Sequence, residues 1–116
     1  MEPRQLTKIE RHLVQWLLEN GTHPDAAKFR HEADTVEVRS RCDCGCASIN
    51  FIDDIAGGMQ VLSDYGWTAQ SGNQCGIFVF AQDNKLAGLE VWSVDGEADV
   101  VELPEPSVLT PLKAAR

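Results

Sequence analysis

The cysteines are the first residues with chemical reach. Cys42, Cys44 and Cys46 alternate within Arg41-Cys42-Asp43-Cys44-Gly45-Cys46, and Cys75 stands well downstream. A structural zinc ion needs four thiolate or imidazole ligands converging as a tetrahedron, and the usual knuckle is Cys-x-x-Cys, whose two spacer residues let one turn aim both sulfurs at one ion. The spacing here is Cys-x-Cys-x-Cys. If Cys44-Gly45 is the turn of a hairpin, Cys42 points inward, Cys44 sits at the tip and Cys46 points outward, so a shared ion requires a distorted loop with Cys75 or a histidine as fourth ligand. A redox pair of Cys42 with Cys44, or Cys44 with Cys46, is disfavoured by Asp43, whose charge raises a neighbouring thiol pKa. The plainest reading is a tight turn of small side chains and no cofactor, with a zinc or thiol-redox module on Cys42, Cys44, Cys46 and Cys75 as the alternative.

A second group combines acids with aromatic rings. Asp53, Asp54, Asp64 and Glu90 lie near Tyr65, Trp67 and Trp92 in sequence or in the strand pairing argued below. A groove of carboxylates and aromatic faces holds Lys or Arg side chains through charge pairs and cation-π contacts. The competing reading puts Trp67 and Trp92 in the core and Asp53-Asp54 in a solvated loop. His12, His23 and His31 have no sequence neighbours that make a triad or a His-Glu-x-x-His pattern, and neither a Gly-x-Ser-x-Gly elbow nor a phosphate-binding glycine loop is present.

Charge placement narrows the partner. The net charge of the 116-residue chain is -8; residues 1–41 hold seven bases and seven acids, whereas residues 42–116 hold three bases and eleven acids. Between Ala47 and Leu112 the only cation is Lys85. Such a surface repels a phosphate backbone or an anionic membrane, so neither nucleic acid nor membrane is expected, and a basic protein or cationic ligand is. No run of 18 apolar residues and no basic-then-apolar leader occurs, which predicts a cytoplasmic protein with reduced thiols.

Residues 7–20, with Leu6 just before them, carry Ile9, Leu13, Trp16 and Leu17 on the Leu6 face at helical spacing against Lys8, His12, Gln15 and Glu19. Thr7 and Glu10 have capping-box spacing, and Asn20-Gly21 suits a left-handed exit. Pro24 opens a shorter second helix to about Ala33. From Thr35 the period becomes 2. Pairing Cys42 with Ala47, Ser40 with Ile49 and Val38 with Phe51 puts every apolar residue of that hairpin on one side. Strands follow at residues 60–68, 75–81 and 85–94. A two-residue Asp83-Asn84 turn pairs Phe78 with Leu89, Phe80 with Ala87, Ile77 with Glu90 and Cys75 with Trp92. Residues 99–103 add an edge strand stopped by Pro104, where an exposed edge would permit a dimer. The predicted fold is α+β: one domain over 1–116, with helices in 1–34, a mainly antiparallel meander sheet of five to six strands in 35–103 and an extended tail in 104–116.

Two segments resemble a loose group of small uncharacterised bacterial proteins: the Arg41-Cys42-x-Cys44-Gly45-Cys46 turn with Ser48 beyond it, and Phe78-Val79-Phe80-Ala81-x-x-Asn84-Lys85-Leu86-x-x-Leu89-Glu90-Val91. The resemblance covers about a quarter of the chain, implies a bacterial origin and carries no activity, cofactor or catalytic residue with it. The plan of a small acidic α+β domain is also similar in architecture to toxin-immunity proteins. The expected function is therefore a non-enzymatic acidic binding protein, of the immunity-inhibitor kind, that engages a basic protein through its acidic sheet. A small enzyme acting on a cationic substrate between Trp67, Glu90 and Trp92 is the remaining alternative.

Overall fold

The computed structural model describes residues 2–41, 46–55, 58–94, 100 and 102–112. It is an α+β fold. Strand β1 (Arg4–Gln5) leads into helix α1 (Lys8–Glu19), and two short 3-10 turns, Ala26–Phe29 and Glu32–Asp34, follow. The strands after them are β2 (Glu37–Val38), β3 (Ser40–Arg41), β4 (Ile49–Asn50), β5 (Gln60–Thr68), β6 (Gln74–Gln82), β7 (Lys85–Ser93) and β8 (Thr110–Pro111). β1 and β2 form a separate two-stranded ribbon, and the other six make one antiparallel sheet in the order β3-β4-β7-β6-β5-β8.

The helix starts where the capping signal places it. Thr7 is extended and its Oγ1 accepts from the Glu10 backbone N–H at 3.1 Å, while Glu10 Oε1 accepts from the Thr7 N–H at 2.8 Å. Arg4 completes the arrangement by donating through both terminal nitrogens to the two Glu10 oxygens at 2.9 and 3.0 Å. Burial is the largest single influence on Glu10 and opposes its ionisation, yet the hydrogen bonds from Arg4 and Thr7 and the Arg4 charge together outweigh it. They hold the carboxyl below the usual range.

The buried face of α1 is turned relative to the expected one. Leu13, Val14, Leu17 and Leu18 are buried, whereas Ile9 is 68% exposed. The 3-10 turns cause the rotation. They occupy the flank carrying Val14 and Leu18, bring Ala26, Phe29 and Ala33 into the core, and are tied there by Arg11 donating to the Ala33 carbonyl. A continuous second helix from Pro24 to Ala33 does not form. Asn20-Gly21 is not a left-handed exit either, since Asn20 has φ −112°. Glycine is required at 21 for space: a Cβ there would lie 2.2 Å from the Ala26 Cβ and 2.9 Å from the Leu62 carbonyl oxygen.

Three expectations for the sheet are corrected. Only β5, β6 and β7 form a meander. β4 crosses to the far side of β7, where Ser48 Oγ accepts from the Val91 N–H at 2.9 Å, and β8 returns to the outer edge of β5. The β3–β4 register is Ser40 with Asn50 and Arg41 with Ile49, one residue from that expected. Asn50 donates its amide to Ser40 Oγ at 3.0 Å, and Val38 pairs with Arg4 instead of Phe51. In β6–β7 the turn is the two-residue Asp83-Asn84, both at positive φ, but a shift between Phe80 and Ala81 moves the pairing by one. Phe78 therefore faces Glu90, Ile77 faces Val91, Phe80 faces Gly88 and Cys75 faces Ser93. The shift sets a glycine under the Phe80 ring, where a Cβ would lie 2.7 Å from the ring tip. Of the expected edge strand at 99–103, residues 99 and 101 lie outside the described set, and Glu102 and Leu103 are not in a strand.

Glu10 predicts an acid-sensitive helix start. Its folded pKa is depressed, so its contribution is present above the unfolded carboxyl pKa and disappears as pH falls through the folded value. Denaturant midpoints should therefore drop on acidification, and Glu10→Gln should cost about 1–2 kcal/mol at neutral pH while weakening that acid response. Gly21→Ala should cost about 1–3 kcal/mol by overpacking against Ala26, read from the same melts.

Candidate functional site

Alternation along β6 divides the acids and aromatics between the two faces of the sheet. One face meets the helix. Tyr65 on β5 packs edge-on against Trp16, with ring centroids 5.1 Å apart, and its hydroxyl donates to the Asn20 carbonyl at 2.5 Å; burial pushes the phenol pKa up. Trp67, Cys75, Ile77, Val79, Leu89 and Val91 share this face and are buried.

The other face carries a different set, in three cross-strand rows. Asp64, Phe78 and Glu90 stand side by side on β5, β6 and β7. Next to them, Gly66 pairs with Gly76, which pairs with Trp92. On the opposite side, Val61, Phe80, Gly88, Asn50 and Ser40 run across the sheet. Strand spacing of about 4.8 Å sets the Asp64 and Glu90 backbones about 10 Å apart with Phe78 between them.

The aromatics here are held by glycines. The Trp92 indole lies over Gly76, where a Cβ would be 2.3 Å from two ring carbons, and Leu112 covers Gly66 from the β8 side. Trp92 and Leu112 are each 37% exposed, so both present apolar surface outward. Phe78 is half-buried and tilts against Phe80 with centroids 5.9 Å apart. A cleft of 350 Å³ lies between Trp92 and Leu112 at the end of the sheet, where Trp67 and Cys75 also border it.

Of the seven residues expected to bind a partner, Asp64, Glu90 and Trp92 come together on this open face. Tyr65 and Trp67 do not; they point to the helix side. Asp53 and Asp54 are exposed in the loop after β4. Asp53 faces Arg39 at 3.8 Å, and the Asp54 carbonyl accepts from Gln82 Nε2 at 2.8 Å, which ties that loop to the far end of β6. Trp67 also lines a depression of 630 Å³ with Cys75, Glu102 and Glu105, but the ring is buried and offers little stacking surface.

Neither search by similarity nor search by shape finds a relative. No protein-family model, curated protein or solved structure matches the chain. The geometry therefore carries the functional reading.

Cys46 is buried with the core, not outward; β4 spans only Ile49–Asn50, so the strand alternation expected to turn Cys46 outward does not reach it. Cys75 is buried as well, its thiol 3.7 Å from the Asn73 carbonyl. Cys42 and Cys44 lie outside the described residues, and among the described residues no group of three or more His, Cys, Asp or Glu converges. His23 is held locally, its Nδ1 accepting from the Asp25 N–H at 3.0 Å.

Phe78, Leu112 and the Gly66–Gly76 pair were not among the expected site residues. The one-residue shift hid Phe78 by aligning Ile77 with Glu90. Glycines spaced by ten in neighbouring strands were the available signal, since two glycines in one cross-strand pair leave space that side chains such as Trp92 and Leu112 fill.

The face assignment makes the two tryptophans unequal. Trp67→Ala should cost about 3–5 kcal/mol, the range for emptying a core aromatic site. Trp92→Ala should cost about 1 kcal/mol, because the ring is only partly removed from water. Urea melts of the two variants check the difference, and equal losses would contradict the assignment.

Proposed function

We propose that the protein is a non-enzymatic binding module that engages a basic protein segment through the open face of its sheet, in the manner of an immunity-type inhibitor. The observation that carries this reading is the row Asp64-Phe78-Glu90 beside the exposed Trp92. It combines negative charge with apolar contact area, the pairing that attracts and then retains Lys- and Arg-bearing chains.

Charge complementarity supports the choice of partner. Lys85 is the only cation in the sequence from β4 to β8, and it stands beside the Asp83-Asn84 turn, five residues along β7 from Glu90. Glu90 has no ion-pair partner among the described residues. Binding is favoured over catalysis on a cationic substrate because Trp67 faces the helix side while Glu90 and Trp92 face away from it. Trp67 and Trp92 both border the 350 Å³ cleft, but Glu90 does not line it, so no carboxylate stands between the two rings.

Titration with a short basic peptide mixing Lys and Arg with Gly tests the reading. Amide resonances of Asp64, Phe78, Glu90 and Trp92 should move, and affinity should fall severalfold between 50 and 300 mM salt as the charges are screened. Shifts confined to the helix side, or affinity indifferent to salt, would overturn it.

A further inference from the structure

A groove of 800 Å³ runs beside α1, on the flank opposite the one that the 3-10 turns occupy. Its helix wall carries Lys8, Ile9, His12 and Trp16, and its other wall is the tail at residues 103–107. The rotation of α1 leaves this wall apolar and uncovered. Ile9, at 68%, is the most exposed large apolar side chain among the described residues, and Trp16 is half-buried with Tyr65 packed against it.

The tail does not collapse into the groove. Pro104 and Leu109 are buried, and between them the Val108 and Leu109 N–H groups donate to the Glu105 and Pro106 carbonyls at 3.1 Å each, in a short 3-10 turn that Pro106 opens. The second wall is therefore held at both ends. A groove shaped before anything enters it lowers the ordering cost of binding.

We infer that this groove is a homodimer interface, in which a second copy of the chain lays its Ile9 edge against the tail wall and directs Lys8 to the partner's Glu105. Charge selects a second copy. Residues 1–41 hold seven bases and seven acids, so the helical part is where two chains of net charge -8 meet with least repulsion. The open sheet face lacks that property, because pairing it with itself would set Asp64 and Glu90 against their own copies.

The groove is also self-complementary. Its permanent charges are one cation on the helix wall, Lys8, and one anion on the tail wall, Glu105, and neither has an ion-pair partner among the described residues. A two-fold axis along the groove lays each helix wall over the other copy's tail wall, so the contact of Lys8 with the partner's Glu105 is made twice. Ile9 then covers the partner's Pro104 and Pro106, and apolar surface leaves water at the centre of the interface. Since α1 and Trp92 lie on opposite sides of the sheet, both open faces remain free, and the dimer does not depend on what they bind.

Sedimentation equilibrium of the full chain over a series of protein concentrations tests the proposal. The weight-average mass should rise with concentration from 12.8 kDa toward twice that value, with a dissociation constant in the micromolar range expected of a small specific interface. Ile9→Glu should raise that constant about tenfold or more by carrying a carboxylate into the apolar centre. Its circular dichroism should be unchanged, because most of the Ile9 side chain already lies in water. Lys8→Glu and Glu105→Lys should each weaken the dimer severalfold, and the two together should restore it. Val94→Glu, beside Trp92 on the open face, should leave the dimer in place. A chain that stays at 12.8 kDa throughout, a dimer that Val94→Glu breaks and Ile9→Glu does not, or a doubly reversed variant as weak as either single one would each overturn the interface.

Discussion

Strand β6 is the ruler against which the molecule is laid out. Its side chains alternate strictly from Gln74 to Gln82, and both long neighbours take their register from it. Slipping β7 by one residue would carry Glu90 and Trp92 to the helix side and push Val91 and Leu89 into water. That exchange would bury a carboxylate without a partner and expose two core residues, so the pairing is strongly specified. The bulge at the β7 end protects the same arrangement. It absorbs one residue near the turn and delivers Gly88 to the place where Phe80 needs open space.

Two kinds of apolar layer follow from this alternation. The helix side is a conventional core, in which α1 and the 3-10 turns meet Ile77, Val79, Leu89 and Leu62. The open side is thinner and is assembled from rings lying on glycines: Trp92 over Gly76 and Phe80 over Gly88. A glycine inside a strand normally weakens it. Here the loss is offset by the contact area of a ring lying directly on the backbone, and the ring gains a fixed orientation.

Legibility in the sequence followed locality. The capping box at Thr7 and Glu10, the span of β5 and the two-residue Asp83-Asn84 turn were all readable because each depends on residues close together in the chain. The expected β6 span falls one residue short at each end, and the expected β7 span runs one residue too far at its end. The placement of β4 against β7 and of β8 against β5 was not readable, since each joins segments about forty residues or more apart with no local signal. The α+β class survived these errors; the meander did not. At the candidate site, Asp64, Glu90 and Trp92 were legible as residue types, but their grouping depended on a register that one bulged residue changes. Tyr65 and Trp67 show the opposite failure. They neighbour Asp64 in sequence, and the twofold period of the strand alone sends Tyr65 to the other side.

The brevity of the outer strands governs how a partner can attach. β3 and β8 each contribute two residues, β8 ends on a proline, and the Leu62 carbonyl on the remaining β5 edge is occupied by the His23 N–H. Among the described residues, a visiting chain would find no long ladder of backbone donors and acceptors to extend. Under the proposed binding reading, recognition falls to the flat of the sheet, where discrimination rests on side-chain chemistry and is open to tuning one residue at a time.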